Sequence, residues 1–194
     1  MARPRRPEDW DRDLAGARAV EQRVGASLAA DARVGDLEDH TAAFDRLDFS
    51  FSCCGMRVWL DVKEKLQRYS AGVQQLWPGV GERDLFIVDE TVYRRIVWQG
   101  GGGYLAIHDS VGVRWVVFGP WELTIGPRLR YGRWGRRHDA RFLKGKLLLD
   151  LSAAPHQSPD FSVDLVVKSI NESRRWRDRV EPYPIDAIRL PELG

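Results

Sequence analysis

The chain of 194 residues holds only two cysteines and four histidines, and its 30 basic and 28 acidic residues nearly cancel to a formal net charge of +2. The cysteines are the neighbours Cys53 and Cys54, which cannot form an ordinary structural disulfide and are too few for a zinc cage. A disulfide-stapled scaffold and a cysteine-ligated zinc module are therefore excluded. No run approaches the roughly 18 apolar residues that span a bilayer, and the opening MARPRRPEDWDRD has basic residues with no apolar segment behind them. The expectation is a cytoplasmic protein with no membrane partner. Hydrophobic residues at 43% and charged residues at 30% match globular averages, and the length suits one domain with a proper core.

What is present is a series of short periodic segments. Residues 7–30 read as an amphipathic helix, with Leu14, Ala17, Val24, Gly25 and Leu28 at helical spacing. Glu21 falls inside that apolar stripe, an odd place for a carboxylate without a partner or a metal beneath it. Residues 31–43 are polar and read as loop or a short helical turn. A helix is expected over 64–77, closed by Pro78 and Gly79, then a short buried strand at 85–88 and a helix at 91–98. Gly100 to Gly103 lack the Gly-Lys-Ser/Thr ending of a phosphate-binding loop and read as a hinge. Residues 104–108 pair with 113–118 across a turn. An apolar run follows at 147–151 and a strand is expected at 161–168. No internal repeat is evident.

Two alternating segments, 47–52 and 57–63, flank Cys53, Cys54, Gly55 and Met56 and read as a β-hairpin. A two-residue turn at Cys54 and Gly55 and a four-residue loop give the same register, in which paired residue numbers sum to 109. It sets Leu47, Phe49 and Phe51 opposite Val62, Leu60 and Val58 on one apolar face. The other face places Asp48 across from Asp61, with Lys63 on the same side because strand side chains alternate with period two. Two facing carboxylates repel unless a cation sits between them, and carboxylate oxygens suit Mg²⁺ or Mn²⁺. Asp45 is the alternative first acid, but period two puts it on the apolar side. Carboxylates and lysines on paired strands are commonly a solvated face; here the opposed acids, the apolar reverse face and Glu21 on the leading helix coincide.

Asp48 in the context Arg46-Leu47-Asp48-Phe49, followed after twelve residues by Asp61-Val62-Lys63, resembles the PD-(D/E)xK superfamily of restriction-endonuclease-like nucleases. Leu47 stands where the name-giving pattern has proline, and Asp61 where glutamate is commoner. The resemblance covers about residues 7–90. It implies an α/β (α+β) fold with an αβββαβ core and a mixed sheet, Mg²⁺ (or Mn²⁺) dependence, and hydrolysis of a phosphodiester bond by an activated water. Carried over, Asp48 and Asp61 are metal ligands, Lys63 orients or activates the water, and Glu21 matches the helix acid that many members add to the metal shell. DNA is favoured over RNA as substrate, in a restriction or phage-defence setting, with a homodimer or partner subunit as many relatives have. The alternatives are a non-catalytic nucleic-acid-binding or accessory subunit of the same fold, and an unrelated α+β interaction domain in which the acidic pair is solvated.

On this reading residues 1–120 form the nuclease core and 121–194 a basic, aromatic-bearing extension packed on it. Arg128, Arg130, Arg133, Arg136, Arg137, Arg141, Lys144 and Lys146 stand against one acid, Asp139, with Tyr131, Trp134 and Phe142 among them. Cations interleaved with aromatics suit phosphates and bases, so Arg128, Arg130, Arg133, Trp134, Arg136, Arg137, Arg141 and Lys144 are the expected nucleic-acid contacts. The cluster Arg174 to Arg179 reads as a helix face pairing with Glu172 and Asp178. His108 reads as structural, and His40 as able to approach the acidic pair.

Overall fold

The computed structural model describes residues 7–43, 45–68, 77–126, 128–132 and 144–179. They form a mixed α and β structure with a six-stranded mixed sheet, a second sheet of three strands, and four α-helices among the described residues. Helix α1 (Pro7–Ala30) leads into β1 (Gly35–Asp39), β2 (Phe49–Cys53) and β3 (Met56–Lys65). Then come β4 (Leu85–Asp89), α2 (Glu90–Trp98), β5 (Gly103–Asp109), β6 (Arg114–Phe118), α3 (Pro120–Ile125), β7 (Arg128–Gly132), β8 (Lys144–Asp150), β9 (Gln157–Ser158) and α4 (Val163–Arg179). The large sheet runs β1-β2-β3-β5-β6-β9 and the small one β4-β8-β7. All neighbours are antiparallel except β3 and β5.

The register of the β2–β3 hairpin agrees with the sequence pattern: Phe49 faces Leu60, Phe51 faces Val58 and Cys53 faces Met56. Cys54 and Gly55 make the two-residue turn with φ of 54° and 72°, the pair of positive values that matches the twist of a tight hairpin. Phe49, Phe51, Val58, Leu60 and Val62 line one face of the large sheet with Tyr104, Ala106 and Val117. Helix α1 covers that face through Val20, Val24 and Leu28, and α4 through Val163, Val166 and Ile170. Gly25 lets α1 come down on Phe49: a Cβ there would lie 3.2 Å from the ring.

The opposite face, carrying Leu105, Ile107, Val116 and Phe118, packs against Phe86, Val88 and Leu149 of the small sheet, Ile96 of α2 and Leu123 of α3. The molecule is thus layered as helices, large sheet, and a third layer of small sheet with short helices. A buried charge network ties the sheets together. Lys65 donates to the Arg83 carbonyl and lies 4.0 Å from Asp109; Arg114 bonds Asp109 at 3.0 Å and also pairs with Asp84, just ahead of β4.

The structure corrects five expectations. Residues 31–43 contain strand β1, a polar edge strand whose ends are exposed, so no apolar alternation marks it. Strand β3 continues to Lys65 where a helix was expected from Glu64, because Lys65 finds Asp109 directly across the sheet; residues 69–76 of that expected helix lie outside the described residues. Leu47 belongs to the apolar cluster on the opposite face from Phe49, since the strand begins only at Phe49. The expected strand at 161–168 is helix α4: Val163, Val166 and Ile170 are buried at helical spacing while Asp164 and Lys168 are exposed. β-Branched residues raise strand propensity, but here tertiary packing of one helical face outweighs it. Leu14, placed in the apolar stripe of α1, is 46% exposed.

This packing makes α4 a direct contributor to stability. Ile170→Ala should lower the unfolding free energy by about 2–5 kcal/mol, and Lys168→Ala should change it by less than about 0.5 kcal/mol. Urea denaturation of the two variants checks both values.

Candidate functional site

Strand β3 runs past the start of β2. The ladder between them ends at Phe49 and Leu60, so the edge of Asp61 to Lys65 on that side has no strand partner among the described residues. Where the ladder stops, a side chain takes over: the Val62 amide donates to Asp48 Oδ2 at 2.7 Å. The Asp48 carboxylate is thereby fixed at the β3 edge, and its carbonyl accepts the His40 amide at 2.8 Å, which anchors the β1–β2 connection.

Asp61 projects from the face that carries Leu105, its partner on β5, and is 3% exposed. Lys63 Nζ lies 2.6 Å from Asp61 Oδ2 and 3.8 Å from Asp48 Oδ2, and it donates to the Val62 carbonyl at 3.0 Å. Both carboxylates therefore lie near one ammonium group, but not as the period-two argument expected: Asp48 precedes β2, is not paired across from Asp61, and reaches the β3 edge from the loop. The Asp61 contact is an ion pair without hydrogen-bond angles, and Asp61 Oδ2 is buried with no hydrogen-bond partner among the described residues.

Burial sets the protonation states. Desolvation pushes the Asp61 carboxyl up to about 6; Lys63 opposes the rise and Asp48 adds to it. Glu21 on α1 is raised to about 7, first by burial, then by the charge of Asp48, against Lys63, with Asp61 and Asp39 adding smaller repulsions. Burial works against the Lys63 ammonium, but Asp61 and Asp48 outweigh it and hold its pKa above the ordinary value. Glu21, Asp48, Asp61 and Lys63 thus share one electrostatic environment, with Arg95 of α2 also acting on Asp61.

Among the described residues, no three side chains of the His, Cys, Asp and Glu types stand as a ready-made metal cage. Lys63 instead stands close to both acids, at 2.6 and 3.8 Å. Asp48 and Asp61 nevertheless fit a hard cation, because Asp61 Oδ2 has unused acceptor capacity and Mg²⁺ is commonly held by one or two carboxylates with water and substrate phosphate completing its shell.

Sequence reasoning did not find the polar cluster beside the site. Ser50 Oγ donates to Glu38 at 3.0 Å, accepts from Arg57 at 2.6 Å and lies 3.1 Å from His40 Nε2. His40 also stacks on Trp59, centroids 5.9 Å apart. His40 does approach Asp48, through its backbone. The serines of β2 gave only strand alternation, and β1, which supplies Glu38, carried no signal. His108 bonds Glu64 at 3.1 Å and stacks on Trp115, a structural role.

Of the expected nucleic-acid contacts, Arg133, Trp134, Arg136, Arg137 and Arg141 lie outside the described residues. Arg128 and Arg130 fall on β7 and Lys144 opens β8, all in the small sheet. Lys146 pairs with Asp89, so this cation of the stretch finds an acid that the local sequence did not show. In the second basic cluster Arg175 pairs with Glu172 at 3.3 Å, and Arg174 donates to the Cys54 carbonyl.

Comparison with protein-family models, with curated proteins and with solved structures finds no match. No helix of the described residues is long and apolar enough to cross a membrane.

The raised acid at Glu21 makes stability depend on pH. The unfolded chain loses this proton near pH 4.5 and the folded one near pH 7, so the folded state binds more protons between those values and stability falls as pH rises through that window. Asp61, raised to about 6, adds a fall of the same sign at lower pH, so Glu21→Gln should reduce the fall, chiefly its part above about pH 6, and stabilise the protein at about pH 8 by on the order of 1–2 kcal/mol, solvent screening having reduced the full linkage value. Thermal or urea unfolding of both proteins from about pH 5 to 8 checks the slope.

Proposed function

We propose that the protein is a divalent-metal-dependent nuclease of the PD-(D/E)xK type that hydrolyses phosphodiester bonds, in DNA before RNA. The observation that carries this reading is the meeting of Asp48, Asp61 and Lys63 at the open edge of β3, with Glu21 in the same field. Part of the order of elements supports it: helix α1 and the antiparallel run β1-β2-β3 lead, after β4 of the small sheet, into helix α2 and then β5 parallel to β3, which matches the αβββαβ core of that superfamily once β4 is read as an insertion.

Asp48 and Asp61 would hold Mg²⁺ or Mn²⁺, with Glu21 completing the carboxylate set once it loses its proton. The cation supplies charge neutralisation on the phosphodiester and raises the acidity of water. The chain's own residues do the rest. Asp48, bonded to the Val62 amide, would fix where the acids converge; Lys63, paired with Asp61, would turn its ammonium toward the scissile phosphate or the attacking water. Asp61, dry and 3% exposed, keeps the charges in a low-dielectric setting where they act strongly. The basic stretch of 128–144 would bind the substrate backbone through Arg128, Arg130, Arg133, Arg136, Arg137, Arg141 and Lys144, with Trp134 offering a stacking face.

A second reading has its own support. Lys63 already neutralises Asp61 at 2.6 Å, a state that a non-catalytic nucleic-acid-binding subunit could retain without any cation. Cleavage separates the two. With Mg²⁺ on plasmid DNA, the wild-type chain should nick or cut and Lys63→Ala should lose at least about a hundredfold in rate, in the range by which a positioned proton-transfer group acts. Equal rates for wild type and variant, or no cleavage by either, favour the binding subunit.

Backbone affinity is tested separately. Replacing Arg133, Arg136 and Arg137 by alanine should weaken binding to duplexes of different sequence by similar factors. The slope of log affinity against log salt should flatten by about 0.9 for each phosphate that the variant no longer neutralises. Wild-type affinity and slope in the triple variant would remove this stretch from the interface.

A further inference from the structure

A cavity of about 430 Å³ lies between α3, α4 and the turn end of the β2–β3 hairpin. Its wall is mostly apolar, built from Met56, Tyr104, Trp121 and Ile170, and two guanidinium groups, Arg174 and Arg177, belong to it. The volume falls in the range of small-molecule sites, which combine an apolar wall with a few convergent polar groups. Trp121 is held flat by stacking on Trp176, with centroids 5.3 Å apart and planes 7° from parallel. Arg174 is steadied by its bond to the Cys54 carbonyl at the hairpin turn.

The Ser173 hydroxyl is buried beside the Tyr104 hydroxyl, behind the cavity wall. An apolar wall next to two arginines suits a ligand that joins an apolar body to an anionic group. The cavity is separate from the acidic site. Met56 and Asp61 are five residues apart on β3, about 16 Å along a strand, and Tyr104 and Ile170 line the sheet face opposite to Asp61.

We propose that this cavity binds a small organic anion with a flat apolar body. The body lies against Tyr104, Trp121 and Ile170, and the anionic group is held by Arg174 and Arg177. The site stands independently of the nuclease reading. A purely apolar ligand would make no use of the two cations, and a bare inorganic anion would make none of the aromatic wall.

Anilinonaphthalene sulfonate, a flat aromatic body with one anionic group, tests this on the full chain by fluorescence titration, with neutral N-phenylnaphthylamine as the same body without the charge. The expected result is one saturable site for the sulfonate, bound more tightly than the neutral compound. Arg174→Ala with Arg177→Ala should weaken the sulfonate by about tenfold or more, the worth of a charge-assisted hydrogen bond, and shift the neutral compound little. Because Arg174 also ties α4 to the hairpin turn, Thr124→Trp provides a second arm: Thr124 is exposed at the rim, and the larger side chain should block both compounds without disturbing the core. Absence of saturable binding, equal affinity of wild type for the two compounds, or unchanged sulfonate affinity in Thr124→Trp overturns the proposal.

Discussion

One hydrogen bond organises this molecule's most chemically distinctive region: the Val62 amide to Asp48 Oδ2 at 2.7 Å. Strand β2 stops one residue short of extending the ladder, and a bare amide at the β3 edge would carry a desolvation penalty. The aspartate side chain supplies the missing acceptor. A hydrogen bond to a charged group contributes about 1.5–3 kcal/mol, enough to hold Asp48 against its repulsion from Asp61. The same bond leaves the edge from Asp61 to Lys65 uncovered by any described strand, and Lys63 reaches both acids from that edge. The His40 amide on the Asp48 carbonyl and Lys63 close to both acids act with this bond to hold the cluster.

The surrounding layers explain why the charges stay strong. Asp61 faces the third layer, sharing its side of the sheet with Leu105 and Ile107, and is almost wholly withdrawn from solvent. Glu21 comes from the first layer, on a helix seated by Val20, Val24 and Leu28 and allowed close by Gly25. The acidic group therefore draws on both sides of the sheet where β3 runs past its partner β2. A few residues further along β3, Lys65 and Asp109 are buried as a structural pair bound to Arg83 and Arg114. The strand thus carries two lysines with opposite duties: Lys65 is consumed by the fold, and Lys63 is left at the edge.

The hairpin was legible because period two and a two-residue turn leave one register, and Phe49 facing Leu60 with Phe51 facing Val58 is that register. Helix α1, strand β4 and the β5–β6 hairpin were legible for similar reasons of period and length. Strand β1 was not, since Gly35-Asp36-Leu37-Glu38-Asp39 is an edge strand held by backbone pairing to β2 and carries no apolar alternation. Helix α4 was hidden by its valines: Val163, Leu165 and Val167 suggest a strand, and only the burial of Val166 and Ile170 together reveals the helical face. At the site, only the shared face of Asp61 and Lys63 on β3 could be read from alternation; Asp48, which precedes β2, reaches them from the loop and not from a paired strand position. The Lys63–Asp61 ion pair, the Asp48 bond to Val62 and the Ser50 cluster could not, because each depends on where strands end and on residues distant in sequence.

The central claim is that Asp48 and Asp61 together form a cation site in which Lys63 is a companion and not a ligand. Its most direct test is a calorimetric titration of the wild-type chain with Mn²⁺ at about pH 8, where Glu21 and Asp61 are ionised, repeated on Asp61→Ala. The account predicts a saturable heat with micromolar to millimolar affinity, on the order of 4–8 kcal/mol of binding free energy, that disappears in Asp61→Ala. No binding by the wild type, or equal binding by both proteins, would contradict it.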